Sequence, residues 1–256
     1  MLLFLLKIAL PPILVAVMSL AARWWGPNVG GLLMGLPWMT GPVLFFLALD
    51  KGDAFGVGAC IGIEIGVVCI CAYMLAYAGL AAFAAWPLCL AAAATAFLAT
   101  ALAVHGLDVS LMAAAAAAAA SLAVTLMILP RPRAPPVLAA VPWWDIPMRM
   151  LAALALVSVI MLTADALGPR LSGIVSTFPV IVTVVGAFTH HRWGPDAIRR
   201  MLRGLAQALF AFVAFFVVVG WSLPVVGLVA AFALATVVAL GISAALLALS
   251  RRWAMR

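Results

Sequence analysis

The sequence predicts an all-α polytopic membrane protein, with about nine transmembrane helices in two inverted four-helix repeats joined by an inverter helix. Three observations predict it. The 256 residues are 69% hydrophobic and 8% charged, with a mean hydropathy of +1.32, whereas soluble domains carry roughly 25% charged residues. A Gly/Pro pattern occurs twice at a fixed offset of 142: Gly26-Pro27, Gly31, Pro37, Gly52 and Gly62 return as Gly168-Pro169, Gly173, Pro179, Gly194 and Gly204. The basic residues also divide unequally between the two membrane sides that nine crossings define.

Each span follows from the need for about 20 consecutive apolar residues to cross a bilayer. The first runs from Leu2 to Ala22, the second from Val29 to Leu49 and the third from Ala54 to Ala76. The fourth covers Leu80 to Val104, and the fifth, Val109 to Leu129, is dominated by the alanine run Ala113 to Ala120. Pro130 to Pro136, rich in proline and arginine, reads as a stiff, water-exposed linker. Trp143-Trp144 follow it, at the lipid headgroup level. The last four spans are Ile146 to Ala166, Leu171 to Thr189, Ala197 to Trp221 and Val225 to Leu249. The N-terminal span is not read as a signal peptide, since it lacks a basic leading region, contains Pro11-Pro12, and places Lys7 where the second copy has Arg149.

Charge sets the orientation. The side reached after odd-numbered spans receives eleven arginines, Arg23, Arg131, Arg133, Arg149, Arg192, Arg199, Arg200, Arg203, Arg251, Arg252 and Arg256. The other side receives Lys7, Lys51 and Arg170. Basic residues mark the cytoplasmic side, so the N-terminus is expected outside and the C-terminus inside. The first copy, residues 1–106, has four spans, as does the second, residues 146–256. The inverter and linker, residues 107–145, make an odd number of crossings between equivalent positions, which turns the second copy upside down. Inverted repeats are a recurrent plan of secondary transporters, with the site near the midplane between them.

The second copy carries Ser172-Gly-Ile-Val-Ser-Thr-Phe-Pro179, Phe188-Thr-His-His-Arg-Trp-Gly194 and Arg199-Arg-Met-Leu-Arg-Gly204. Over Ile146 to Trp253 this resembles the GlpM-like family of small inner-membrane proteins, which have a single four-helix unit and a Gly-containing, Phe-Pro-ending motif after the first helix. Gly30 to Pro37 of the first copy looks like a diverged unit of the same kind. The resemblance implies a bacterial inner (plasma) membrane location and a fusion of two such units. It implies no chemistry.

Candidate site residues come first from the interrupted second and seventh spans. Gly35-Leu-Pro37-Trp38-Met-Thr40-Gly-Pro42 cannot be regular helix throughout, and Ser176-Thr177-Phe-Pro179 is its counterpart. Paired interruptions in corresponding positions point to a transport site; a pair of kinked packing helices is the plainer alternative. Glu64 is the one acid deep inside a span. A charge there costs on the order of 3 kcal/mol, so such a group is functional or paired. Held neutral, it would suit proton carriage, and a hydrogen-bonded structural role is the alternative. Gly58, Gly62 and Gly66 form a small-residue stripe expected to admit a neighbouring helix closely. Lys7 and Arg149 begin the first helix of each copy and either attract an anionic substrate or snorkel to headgroups. Arg199, Arg203 and Gln207 share one helix face and, with Arg192, Arg200, His190 and His191, make a cytoplasmic basic cluster that suits anionic lipid or a gate for an anionic solute.

These features predict a secondary transporter for a small solute, anionic or lipid-like, with Glu64 as the candidate for proton coupling. A passive channel and a non-transporting accessory protein of an envelope assembly system are the rival readings. The expected partners are membrane lipids and a small-molecule or ion substrate, with an oligomer possible. The positive charge lies at span ends, so no nucleic acid is expected. Cys60, Cys69, Cys71 and Cys89 lie in apolar segments without CxxC spacing, so no metal site or disulfide framework is expected. With no Ser-His-Asp set, Walker loop or dinucleotide fingerprint, no enzyme activity and no cofactor is expected.

Overall fold

The computed structural model describes residues 2–26, 33, 36–37, 40–132, 144–164 and 177–254. Eight helices run through them: α1 (Leu2–Trp25), α2 (Thr40–Lys51), α3 (Asp53–Leu80), α4 (Trp86–Val104), α5 (Leu111–Ile128), α6 (Asp145–Ala164), α7 (Val180–Val226) and α8 (Leu228–Ala254). No strand occurs among the described residues.

Local chemistry sets the helix ends. Gly52 (φ 86°, ψ 172°) separates α2 from α3 in a backbone conformation that side chains resist. Ala85 is extended and Pro87 sits in the first turn of α4, where a missing N–H does no harm. This is why α4 begins at Trp86 and not at Leu80, which completes α3. Ser110 caps α5 by accepting from the Ala113 N–H at 3.3 Å. α7 is broken at Gly194 (φ 78°, ψ −176°), with Pro195 starting its downstream limb. Gly227 (φ 77°) then turns the chain into α8. Within the expected second and seventh spans, α2 starts at Thr40 and α7 at Val180. Val29 to Gly30 and Leu171 to Ser176 lie outside the described residues.

Among the described residues five helices are long and apolar enough to cross a membrane: α3, α4, α5, α7 and residues Leu228–Leu246 of α8. They form two layers. Half of the apolar window of α3 and 56% of that of α7 are buried, against 22% for α4 and 17% for α8. α3 and α7 therefore pack against each other at the centre, with α4 and α5 on α3, α8 on α7, and α1 against α6. The outer surface is apolar, with Phe83, Met127 and Val225 each more than three-quarters exposed. Large apolar side chains exposed to this degree suit lipid rather than water, and the long apolar helices suggest a membrane-embedded protein.

Positions 142 apart recur in the backbone. Gly52 and Gly194 share one conformation. The Gly41 N–H donates to the Pro37 carbonyl at 3.0 Å, and the Thr183 N–H to the Pro179 carbonyl at 2.8 Å. The Cys89 N–H donates to Ala85 at 3.2 Å and the Ala231 N–H to Gly227 at 3.0 Å. α4 starts at Trp86 and α8 at Leu228.

Candidate functional site

Two prolines build the centre of the site. Pro37 lies outside helix just before α2, and Thr177-Phe178-Pro179 run without helical structure into α7. A proline has no N–H to donate to the turn before it, and each of these two accepts from the residue four further on, Gly41 or Thr183. Around these turns is a cavity of about 90 Å³. Thr40 of α2, Ile63 and Ile70 of α3, Thr177, Pro179 and Leu209 of α7 line it. The wall is mostly hydrocarbon, with the two threonines as its polar handles, and the volume holds a few water molecules or a small solute group.

α3 fits against this turn because of Gly66, where an added Cβ would lie 2.5 Å from the Thr177 Oγ1. Two turns further along the same face of α3, the buried Tyr73 hydroxyl shares a 3.0 Å hydrogen bond with Thr183 Oγ1. Phe178 sets its ring edge-on to both Tyr73 and Phe97.

A second cavity of about 400 Å³ adjoins the first, lined by Leu36, Pro37, Gly41, Phe45, Phe215 and Ala239 among others. Leu36 and Ala239 stand 142 residues from Phe178 and Phe97. Where rings fill the space beside Tyr73, smaller side chains leave it open beside Phe215.

Glu64 lines neither cavity. It is wholly buried in α3, and neither carboxyl oxygen has a hydrogen-bond partner. It shares its face with Cys60, whose Cβ would come within 3.1 Å of a Cβ on Gly220 of α7. A buried polar group without partners is costly unless neutral or met by water or a ligand. The expected glycine stripe holds only at Gly66; at Gly58 and Gly62 an added Cβ would meet nothing within 4 Å. Close approach occurs instead at Gly56, against Leu223 and Ala48.

Arg149 does not reach for headgroups. It is 1% exposed and bonds Asp145 through Nε at 2.8 Å, with Ser19 Oγ at 3.4 Å. Arg23 also donates to Asp145 at 2.8 Å, and Arg192 Nε lies 3.9 Å from the same carboxylate. The expected basic cluster is divided by the fold. Arg199 pairs with Asp196 at 3.7 Å. Arg203 donates to the carbonyls of Leu126 and Leu129, capping the end of α5. His190 is buried beside Tyr77, and Gln207 is half-buried. Trp38 and Ser176 lie outside the described residues, and only the backbone of Lys7, in α1, is described.

Thr40, Thr177 and Pro179 thus meet at one cavity, and Pro37 lines its neighbour, whereas Glu64, Arg149 and Gln207 lie elsewhere. Tyr73 and Asp145 are the residues that sequence reasoning passed over. A tyrosine inside an apolar span needs a partner for its hydroxyl, and Asp145 stands four residues before Arg149 on one helix face; both signals were available. Among the described residues no group of three or more His, Cys, Asp or Glu side chains could hold a metal ion. No protein-family model, curated protein or solved structure matches this chain.

Proposed function

We propose that this chain is a secondary transporter of the inner membrane that moves a small anionic or lipid-like solute by alternating access, coupled to protons through Glu64. The observation that carries the reading is the cavity between the two interrupted turns, where Thr40 from one half and Thr177 with Pro179 from the other converge. Its architecture is two inverted four-helix repeats around inverter α5, related to the GlpM-like unit, nine crossings in all, with the N-terminus outside. The backbone hydrogen bonds and glycine conformations that recur 142 residues apart support the repeat. Glu64 acts through α3 and not by contact. Ile63 and Ile70 of that helix wall the cavity, so a change in the charge of a buried carboxyl shifts the wall with it. A bistable packed element of this kind is what converts a local event into a change of access.

Purified protein in liposomes, with an internal pH dye and an imposed pH gradient, tests this against a panel of small anions and lipid-soluble acids. The expected result is a saturable, solute-dependent proton flux that Glu64→Gln abolishes while the variant stays in the membrane fraction. Solute flux whose pH dependence survives Glu64→Gln removes the coupling role. Fast, unsaturable flux indicates a channel, and no flux of any solute indicates an accessory protein.

A further inference from the structure

We propose that the arginine cluster where α1, α6 and α7 meet is a seat for a phosphate group. Three guanidinium groups converge there on one carboxylate. Asp145 Oδ2 accepts from Arg23 and from Arg149, each at 2.8 Å. Its Oδ1 takes the second Arg149 contact at 3.4 Å and faces Arg192 at 3.9 Å. One negative charge is thus shared among three positive ones, in a place where Asp145 is wholly buried and Arg149 nearly so.

Among the described residues this site has no second acid. Six of the chain's seven acidic side chains can be traced one by one. Asp196 is 3.7 Å from Arg199. Glu64 lies midway along α3, Asp50 and Asp53 flank Gly52, and Asp108 precedes α5. Asp165 lies outside the described residues. Among the described residues no other carboxylate comes within ion-pair distance of the cluster. Among the described side chains two positive charges are left over, and like charges this close in a partly buried site repel.

The unused donors point the same way. The Nε atoms of Arg23 and Arg192 are buried and have no hydrogen-bond partner. These two side chains are 21% and 24% exposed, so they form the mouth above the buried Arg149. Rings hold the lower and outer guanidinium groups in place: Arg149 lies 4.8 Å from the Phe188 ring centre and Arg192 5.2 Å from that of Trp144. Forked guanidinium donors match the oxygens of a phosphate, and its charge offsets the excess. Trp24, Trp25 and Trp144 are exposed beside the mouth, and tryptophans sit at headgroup level in a bilayer. The ligand is therefore the phosphate of an anionic lipid headgroup or of a soluble phosphate compound. The inference does not depend on transport.

The test uses full-length protein, delipidated in a neutral detergent, and follows thermal unfolding and native mass spectra. Phosphatidylglycerol, phosphatidylcholine and inorganic phosphate are titrated separately. Retention of phosphatidylglycerol over phosphatidylcholine assigns the seat to a lipid headgroup; a shift with inorganic phosphate as well assigns it to phosphate in general. In either case Arg192→Gln weakens binding by about tenfold, Arg192→Lys restores it only in part because the fork is lost, and Arg131→Gln, an equal charge change in the exposed linker, leaves it unaltered. Should Arg192→Gln fail to fold, the Lys variant and the Arg131 control decide alone. Equal retention of both lipids with no phosphate shift overturns the proposal, as does an Arg131→Gln loss matching that of Arg192.

Discussion

Tyr73 and Thr183 share a buried hydrogen bond of 3.0 Å across the contact between α3 and α7, and the positions 142 residues away, Phe215 and Gly41, also pack together, 3.6 Å from ring carbon to the place of a glycine Cβ. Adding 142 to Tyr73 and subtracting it from Thr183 turns one contact into the other, which supports the proposed repeat. Only one of the two pairs is polar. Tyr73→Phe and Thr183→Val are each expected to lower stability by about 1 kcal/mol. The double variant should lose little more than either single change. Thermal unfolding of all four forms in one detergent measures the coupling, and strict additivity would show that the hydroxyls do not interact.

Gly66 and its neighbours separate a used close contact from an unused one. Gly66→Ala pushes a methyl group into Thr177 and is expected to destabilise by about 1–3 kcal/mol, shifting the turn that walls the smaller cavity. Gly58→Ala and Gly62→Ala meet open space and should leave the unfolding midpoint unchanged or raise it. A similar loss in all three would return the whole stripe to a packing role.

Gly52 and Gly194 hold one backbone conformation with nothing near a Cβ, so alanine there is opposed by the backbone alone. Each substitution is expected to cost about 1–3 kcal/mol, and the two costs should agree closely. Unequal losses, or none, measured by chemical denaturation in mild detergent, would mean that the two junctions relax differently.

Glu64→Met replaces a partnerless buried carboxyl with an apolar chain of similar length. Stability is expected to rise by about 1–3 kcal/mol while any proton-coupled flux is lost. A protein made less stable by the change would indicate that the carboxyl has partners when folded in the bilayer.

Much of the helical plan was legible because apolar runs and Gly/Pro breaks act locally. The break at Gly52 and its echo at Gly194 need no knowledge of the rest of the chain, whereas the last span, expected from Val225, starts at Leu228 after Gly227. Which face of a helix is used does not follow from such signals. Gly58 and Gly66 look alike in sequence, but only Gly66 has a neighbour, because the turn at Thr177 arrives from 111 positions away. The arginines were each visible, and their side of the membrane could be argued from counting. That three of them would close on Asp145 depended on α1, α6 and α7 meeting, which no local pattern encodes. Trp38 and Ser176 lie outside the described residues.

Arg203 closes the end of α5 by donating to carbonyls 77 and 74 residues earlier in the chain. During synthesis those carbonyls exist long before their donor does, by roughly 4–15 s at ordinary elongation rates. Leu129 is buried in the finished protein, so for that interval the helix end must rely on water or on the insertion machinery. The first half of the chain is therefore made with one helix end unfinished, and that end closes only when Arg203 is delivered.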